Sequence, residues 1–175
     1  YICLSFTTII SAQNSDLNKT TVYAYDENAT PAYGYRIPSL ITAQNGDLLA
    51  IAERRIGTHD HAENDIVLRR SKNNGKTWRE EQIIFEDGKN SLNDPCAVVL
   101  ESGRILLMFQ RYPYLVHSRK EGKLQMADTG YDGPRNTKSF ITYSDDNGLN
   151  WSSPREITKQ VRPSERISIG SPGVG

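Results

Sequence analysis

Apolar residues in this chain come in short runs separated by polar turns, with the alternation of strands rather than helices. Residues 37–42 form one such run, and Asn45-Gly46-Asp47 supplies a hairpin turn behind it. The next run, 48–53, is almost wholly apolar and is expected to be buried on both faces. Residues 65–70 make a third strand, Asn73-Asn74-Gly75 a turn, and 78–85 a fourth strand. Residues 13–34 are mostly polar and irregular, with 21–25 as a short edge strand. No amphipathic helix of useful length is visible.

The pattern then repeats. Asp94-Pro95 leads residues 96–100 as Arg36-Ile37-Pro38 leads the first strand, and Ser102-Gly103-Arg104 takes the place of Asn45-Gly46-Asp47. The prolines (38 and 95) and the turn glycines (46 and 103) share one spacing of 57. Strands at 105–110 and 139–143, a turn at Asp145-Asp146-Asn147-Gly148 and a fourth element from Trp151 complete the second unit. The tryptophans, 78 and 151, are 73 apart, and the long segment 112–138 absorbs the difference. A third unit is expected from Ile167, with Pro172 in the matching place. Four strands per unit in tandem predict an all-β fold, a β-propeller. Two units and part of a third leave open edges, so more blades are expected after Gly175.

Composition adds limits. The 175 residues allow one domain with a sizeable core, and 21 basic against 21 acidic residues leave no charge bias toward nucleic acid. The chain starts at Tyr1 rather than Met. Its apolar start, ending in Ser11-Ala12, reads as the remnant of a secretory signal over residues 1–12, with the propeller part at 13–175. That reading implies a secreted, periplasmic or cell-surface location. No later run is long enough to span a membrane. Once a signal is removed only Cys96 remains of two cysteines, so no internal disulfide is expected, and Cys96 reads as a buried small hydrophobe.

Ser144-Asp145-Asp146-Asn147-Gly148-Leu149-Asn150-Trp151 fits Ser-x-Asp-x-Gly-x-x-Trp, and 71–78 fits it with Asn73 in the Asp position. The acidic or amide side chain can accept N–H bonds across the turn, Gly supplies positive φ, and Trp packs back as an apolar plug. This turn is a staple rather than a site. It is the Asp box, and the chain resembles the sialidase (neuraminidase) family over most of residues 33–175. Tyr35-Arg36-Ile37-Pro38 resembles the family's Arg-Ile-Pro signature. Residues 49–55 followed by Asp60 resemble its next arginine and acid/base segment, and Asn93-Asp94-Pro95 its acidic motif.

The resemblance implies a six-bladed propeller, of which this chain covers about two blades and the start of a third. It implies an exo-α-sialidase acting with retention through a tyrosyl intermediate on sialylated glycoproteins, glycolipids or oligosaccharides, without a cofactor. Arg36 becomes the first of three arginines that grip the sialic acid carboxylate. Arg55 becomes a pocket arginine touching the sugar elsewhere, with Arg54 pointing the other way. Asp60 becomes the general acid/base, which needs a raised pKa to be protonated near neutral pH. Asp94 resembles the acidic residue near the sugar's amide and hydroxyls. Glu53 reads either as orienting a pocket arginine or as a solvated strand end. The segment 126–136 is expected to overhang the site. The Tyr nucleophile, its Glu and the other two arginines fall outside these residues, so the chain alone is expected to be inactive.

Three other readings stay open. One is a trans-sialidase, another a non-catalytic Asp-box propeller that binds glycans or proteins, and the third a different glycosidase on the same propeller. His59 and His61 flank Asp60, but no third ligand accompanies them, so no metal is expected.

Overall fold

The computed structural model describes residues 19–57, 60–114, 116, 119–167 and 173–174. The strands are β1 (Tyr33–Thr42), β2 (Leu48–Ile56), β3 (Asn64–Ser71), β4 (Gln82–Phe85), β5 (Ser91–Val99), β6 (Ile105–Tyr112), β7 (Arg119–Lys120), β8 (Lys123–Leu124), β9 (Lys138–Ser144), β10 (Arg155–Glu156) and β11 (Gly173–Val174). One helical turn, α1 (Thr158–Val161), follows β10. Two antiparallel units stand out, β1-β2-β3-β4 and β5-β6-β9-β10. A bridge from Asn64 to Ser91 joins them, and β11 runs parallel to β5 beside Cys96 and Ala97. β7 and β8 form a separate ribbon within the long connection of the second unit. Four strands per unit is the blade of a propeller.

The core lies between the units. Ile41, Leu49, Ile51, Ile66 and Leu68 of the first meet Leu92, Ala97, Ile105, Leu107 and Phe109 of the second. Phe85 and Phe140 stand on either side of Phe109 at 5.7 and 5.8 Å between ring centroids. As the apolar run predicts, Leu49, Ala50, Ile51 and Ala52 are all buried, so β2 is covered on both faces.

The repeat extends to backbone detail. Ile37 and Asp94, each before a proline, have φ of 53° and 56°, and the register with the neighbouring strand shifts there in both units. A bulge at that point re-aims the preceding side chain, Arg36 in one unit and Asn93 in the other.

The Asp-box turns are built alike. Asn73 Oδ1 accepts the Thr77 N–H at 2.9 Å, and Asp146 Oδ1 accepts those of Leu149 and Asn150 at 3.0 and 2.8 Å. The serine adds a bond of its own: Ser71 and Ser144 Oγ accept the Gly75 and Gly148 N–H at 2.9 and 2.8 Å. The hydrogen bonds to Asp146 itself, led by the Asn150 N–H, pull its carboxyl down to about 2.

Three expectations need correction. The outer strands are shorter than predicted, 82–85 and 155–156: both tryptophans lie outside the ladder, and Trp151 packs against the core. Residues 21–25 are not a strand; Tyr23 instead crosses the first unit, donating its hydroxyl to the Ala50 carbonyl at 2.8 Å. Cys96 is half-buried, since Ala97 takes the inward position on β5. The signal reading at 1–12 and the match at Pro172 lie outside the described residues.

Candidate functional site

Asp60 stands on the connection between β2 and β3. A close backbone approach brings the start of that connection against β1. Gly57 donates its N–H to the Ala32 carbonyl at 3.1 Å, and a Cβ on Gly34 would lie 2.7 Å from the Gly57 oxygen. Position 34 therefore admits glycine only, unless the connection shifts.

The charged residues singled out in the sequence meet at this point. Arg36 and Arg55 each donate an Nη1 to Asp60 Oδ1 at 2.7 Å. Arg55 turns its other edge to Glu53, with Nε at 2.7 Å and Nη2 closer still to the same carboxylate oxygen. The second Glu53 oxygen accepts the Asp94 N–H at 2.7 Å. A chain of contacts thus runs from Asp94 through Glu53 and Arg55 to Asp60 and Arg36. Exposure grades along it: side-chain values are 0% for Glu53, 2% for Arg55, 53% for Arg36 and 66% for Asp60. Glu53 is therefore no solvated strand end.

Electrostatics separates the two acids. Burial pushes the Glu53 carboxyl up to about 7, against the pull of the Asp94 N–H and Arg55. Asp60 moves the other way: the Arg55 hydrogen bond, with Arg55 and Arg36 as nearby cations, holds it below the usual carboxylate range. The raised Asp60 pKa expected of an acid is not found with these neighbours, because the side chain is mostly exposed and faces cations. Arg54 points away, to Asp65 at 2.7 Å and Glu81 at 3.0 Å, as alternation requires.

Asp94 sits half-buried at the left-handed position of β5, and its charge helps raise Glu53. Tyr112 is buried near Glu53 and Asp94, its ring 4.5 Å from His61, and burial pushes its hydroxyl up to about 12. Tyr112 and Asn64 escape a reading by motif, and Asn93 enters one only beside Asp94. Asn64 falls just before the strand expected at 65–70, and Tyr112 at the start of the long segment 112–138.

The segment 126–136 leaves the sheet at the same end as Asp60 and is tied to the stretch after α1. Tyr131 donates to the Arg162 carbonyl at 2.8 Å, and Arg162 Nη2 to the Gly130 carbonyl at 2.9 Å. Among the described residues no hydrogen bond or ion pair joins it to Arg36 or Asp60. No group of three or more His, Cys, Asp or Glu is placed to hold a metal among the described residues. His59 and His117 lie outside them. No helix of the described residues is long and apolar enough to cross a membrane.

Comparison with known proteins places this arrangement. The family described as BNR repeat-like domain matches residues 37–175. A sialidase of Paraclostridium sordellii is 33% identical over 172 residues, covering 89% of this chain and 41% of its own length. A Hadza microbial sialidase structure superposes with a TM-score of 0.67 at 26% identity, covering 81% of this chain and 29% of that one. The NanB sialidase of Streptococcus pneumoniae gives 0.68 at 15% identity, covering 90% and 41%, a likeness of fold alone. The chain spans less than half the length of each of these relatives. A repeat model matches most of the chain, and the relatives it resembles in sequence and fold are sialidases: the chain belongs to the BNR repeat-like family.

Proposed function

We propose that this chain forms the part of an exo-α-sialidase that carries its acid/base and its first carboxylate-binding arginine. The observation that carries this is the convergence of Arg36 and Arg55 on one Asp60 oxygen, both at 2.7 Å. Arg36 keeps more than half of its side chain exposed, so its planar fork can turn to a substrate carboxylate. Arg55 holds both Glu53 and Asp60 and stands beside Asp60 as the pocket's second arginine, placed to touch the sugar away from its carboxylate.

The arrangement gives a route to a protonated Asp60. A sialic acid carboxylate at Arg36 draws that cation from Asp60 and adds a negative charge nearby, and both effects raise the Asp60 pKa. Asp60 then donates its proton to the leaving glycosidic oxygen and later takes one from water. Asp94 offers its carboxylate to the sugar's polar substituents. The nucleophile is a tyrosine supplied by other parts of the protein, which gives retention. The substrates are sialylated glycoproteins, glycolipids or oligosaccharides, met in a secreted, periplasmic or cell-surface setting.

The test compares full-length wild type with Asp60→Ala and Arg36→Ala, following sialic acid release from a glycan and from an aryl sialoside. Asp60→Ala is expected to lose about 10²–10⁴-fold on the glycan and far less on the activated aryl substrate. Arg36→Ala is expected to fail on both. A folded wild type that binds glycans and releases nothing would overturn the enzyme reading in favour of a binding propeller.

A further inference from the structure

Two asparagines, one from each unit, end their side chains on the same atom. Nδ2 of Asn64 on β3 and Nδ2 of Asn93 on β5 each lie 2.9 Å from the backbone carbonyl oxygen of Asp60. Both residues are buried, at 0% and 3% exposure. A carbonyl oxygen has two lone pairs, and these two amides fill both.

The arrangement is an unusual use of strand positions. Asparagine is depleted in strands, and burying its amide is unfavourable unless the amide finds partners. Here neither donor serves the strand ladder. The junction between the units has its own bonds: Asn64 and Ser91 pair as bridge residues, and Ser91 Oγ donates to Asn93 Oδ1 at 2.7 Å. That serine contact orients the Asn93 amide, so that its Nδ2 faces Asp60.

We propose that Asn64 and Asn93 are positioning residues that hold the Asp60 carboxyl in place through its own backbone carbonyl. The assignment rests on the acid/base role proposed above for Asp60. The carboxyl end of Asp60 is held by Arg36 and Arg55, and an anionic substrate competes for Arg36. The backbone end is held by neutral amides that no substrate carboxylate displaces. During turnover the two asparagines therefore keep Asp60 in place while its ion pair with Arg36 is exchanged for the substrate. Loss of either one impairs proton delivery more than binding.

The experiment uses the full-length protein with Asn64→Ala, Asn93→Ala, Asn93→Ser and Asp60→Ala. It measures kcat and KM on a sialylated glycan and on an aryl sialoside with a good leaving group. A misplaced acid costs about 10–100-fold in kcat on the glycan. The aryl substrate is expected to change by no more than about threefold, because it needs little protonation. KM on the glycan is expected to stay within about twofold.

The ratio of the two rates does not depend on how much of a variant folds, so it separates positioning from stability. A raised aryl-to-glycan ratio in the asparagine variants, in the direction of Asp60→Ala, supports the assignment. A wild-type ratio in every asparagine variant, with Asp60→Ala still selective, overturns it and leaves the proposed function standing. Wild type inactive on both substrates overturns the proposed function and this assignment with it. Should neither alanine variant yield folded protein, Asn93→Ser decides by the same ratio.

Discussion

The two units set the same backbone in the same register and fill it with different chemistry. In the first, Arg36 faces Glu53 across β1 and β2; in the second, Asn93 faces Gln110 across β5 and β6. Two residues further along, Arg55 of β2 corresponds to Tyr112 of β6. Ile37 and Asp94 share the left-handed bulge, and a proline follows both. Gln110 meets a neutral group, accepting the Ser139 hydroxyl at 2.9 Å. The fold therefore has no need of charge at these positions. A buried ion pair is weak evidence for stability, since apolar or neutral replacements of the whole pair often do as well. That the first unit nonetheless buries Glu53 against Arg55 indicates a demand of the site rather than of the sheet.

The comparison breaks most sharply if the first unit is given the second unit's residues. Glu53→Gln alone takes the buried carboxylate from the Arg55 guanidinium and leaves its ion pair with the exposed Asp60 carboxylate. It is expected to cost about 1–3 kcal/mol in urea unfolding. The double variant Glu53→Gln, Arg55→Tyr is expected to recover most of that stability, because β6 already holds this pair in the same frame. Sialic acid release by the full-length double variant is expected to be lost. Equal damage to stability in the single and double variants would show that the pair serves the fold after all.

The Glu53 shift gives the same comparison a pH dependence. Its carboxyl is raised by burial to about 7, above its ordinary value near 4.5. The folded state thus binds the proton more tightly than the unfolded state. The contribution to stability is fully present below pH 4.5 and is lost as pH rises toward 7. Glu53→Gln removes this slope, whereas Gln110→Ala leaves it unchanged. Unfolding free energies from pH 4 to pH 8 test it.

What could be read in the sequence follows how local each interaction is. The turns at Asn45-Gly46-Asp47 and Ser102-Gly103-Arg104 and both Asp boxes were legible, because side chains two to four residues apart build them. The inner strands were legible from their apolar runs. The outer strands came out too long, since a tryptophan adds to an apolar run whether or not it lies in the ladder. β5 starts at Ser91, earlier than the expected 96, because Asp94-Pro95 reads as a lead-in to the strand; in place Ser91 and Asn93 are buried, and Asn93 donates to the Asp60 carbonyl. Arg36, Glu53, Arg55, Asp60 and Asp94 were found by motif, and the structure brings all five into one chain of contacts. The low pKa of Asp60 was not legible, because it depends on two arginines reaching one oxygen from β1 and β2.

A smaller effect separates the two Asp boxes themselves. Gly75 and Gly148 share positive φ, 80° and 81°. They differ in what surrounds them. A Cβ on Gly75 would meet only the side chains of Leu48 and Trp78, at 3.7 and 3.8 Å. On Gly148 it would lie 2.9 Å from Leu49 Cδ1 and 3.4 Å from Arg70 Nη2. Arg70 is one link between the units here, bonded to Asp47 at 2.9 Å and to the Asn147 carbonyl at 2.8 Å. Gly75→Ala is therefore expected to cost only the left-handed backbone penalty, about 1–2 kcal/mol. Gly148→Ala adds crowding at a buried contact and is expected to cost about 1–3 kcal/mol more. Denaturant unfolding of the two variants measures the difference. Equal losses would mean that Leu49 and Arg70 give way freely, and that the second box is no more tightly built into the first unit than the first box is into its own.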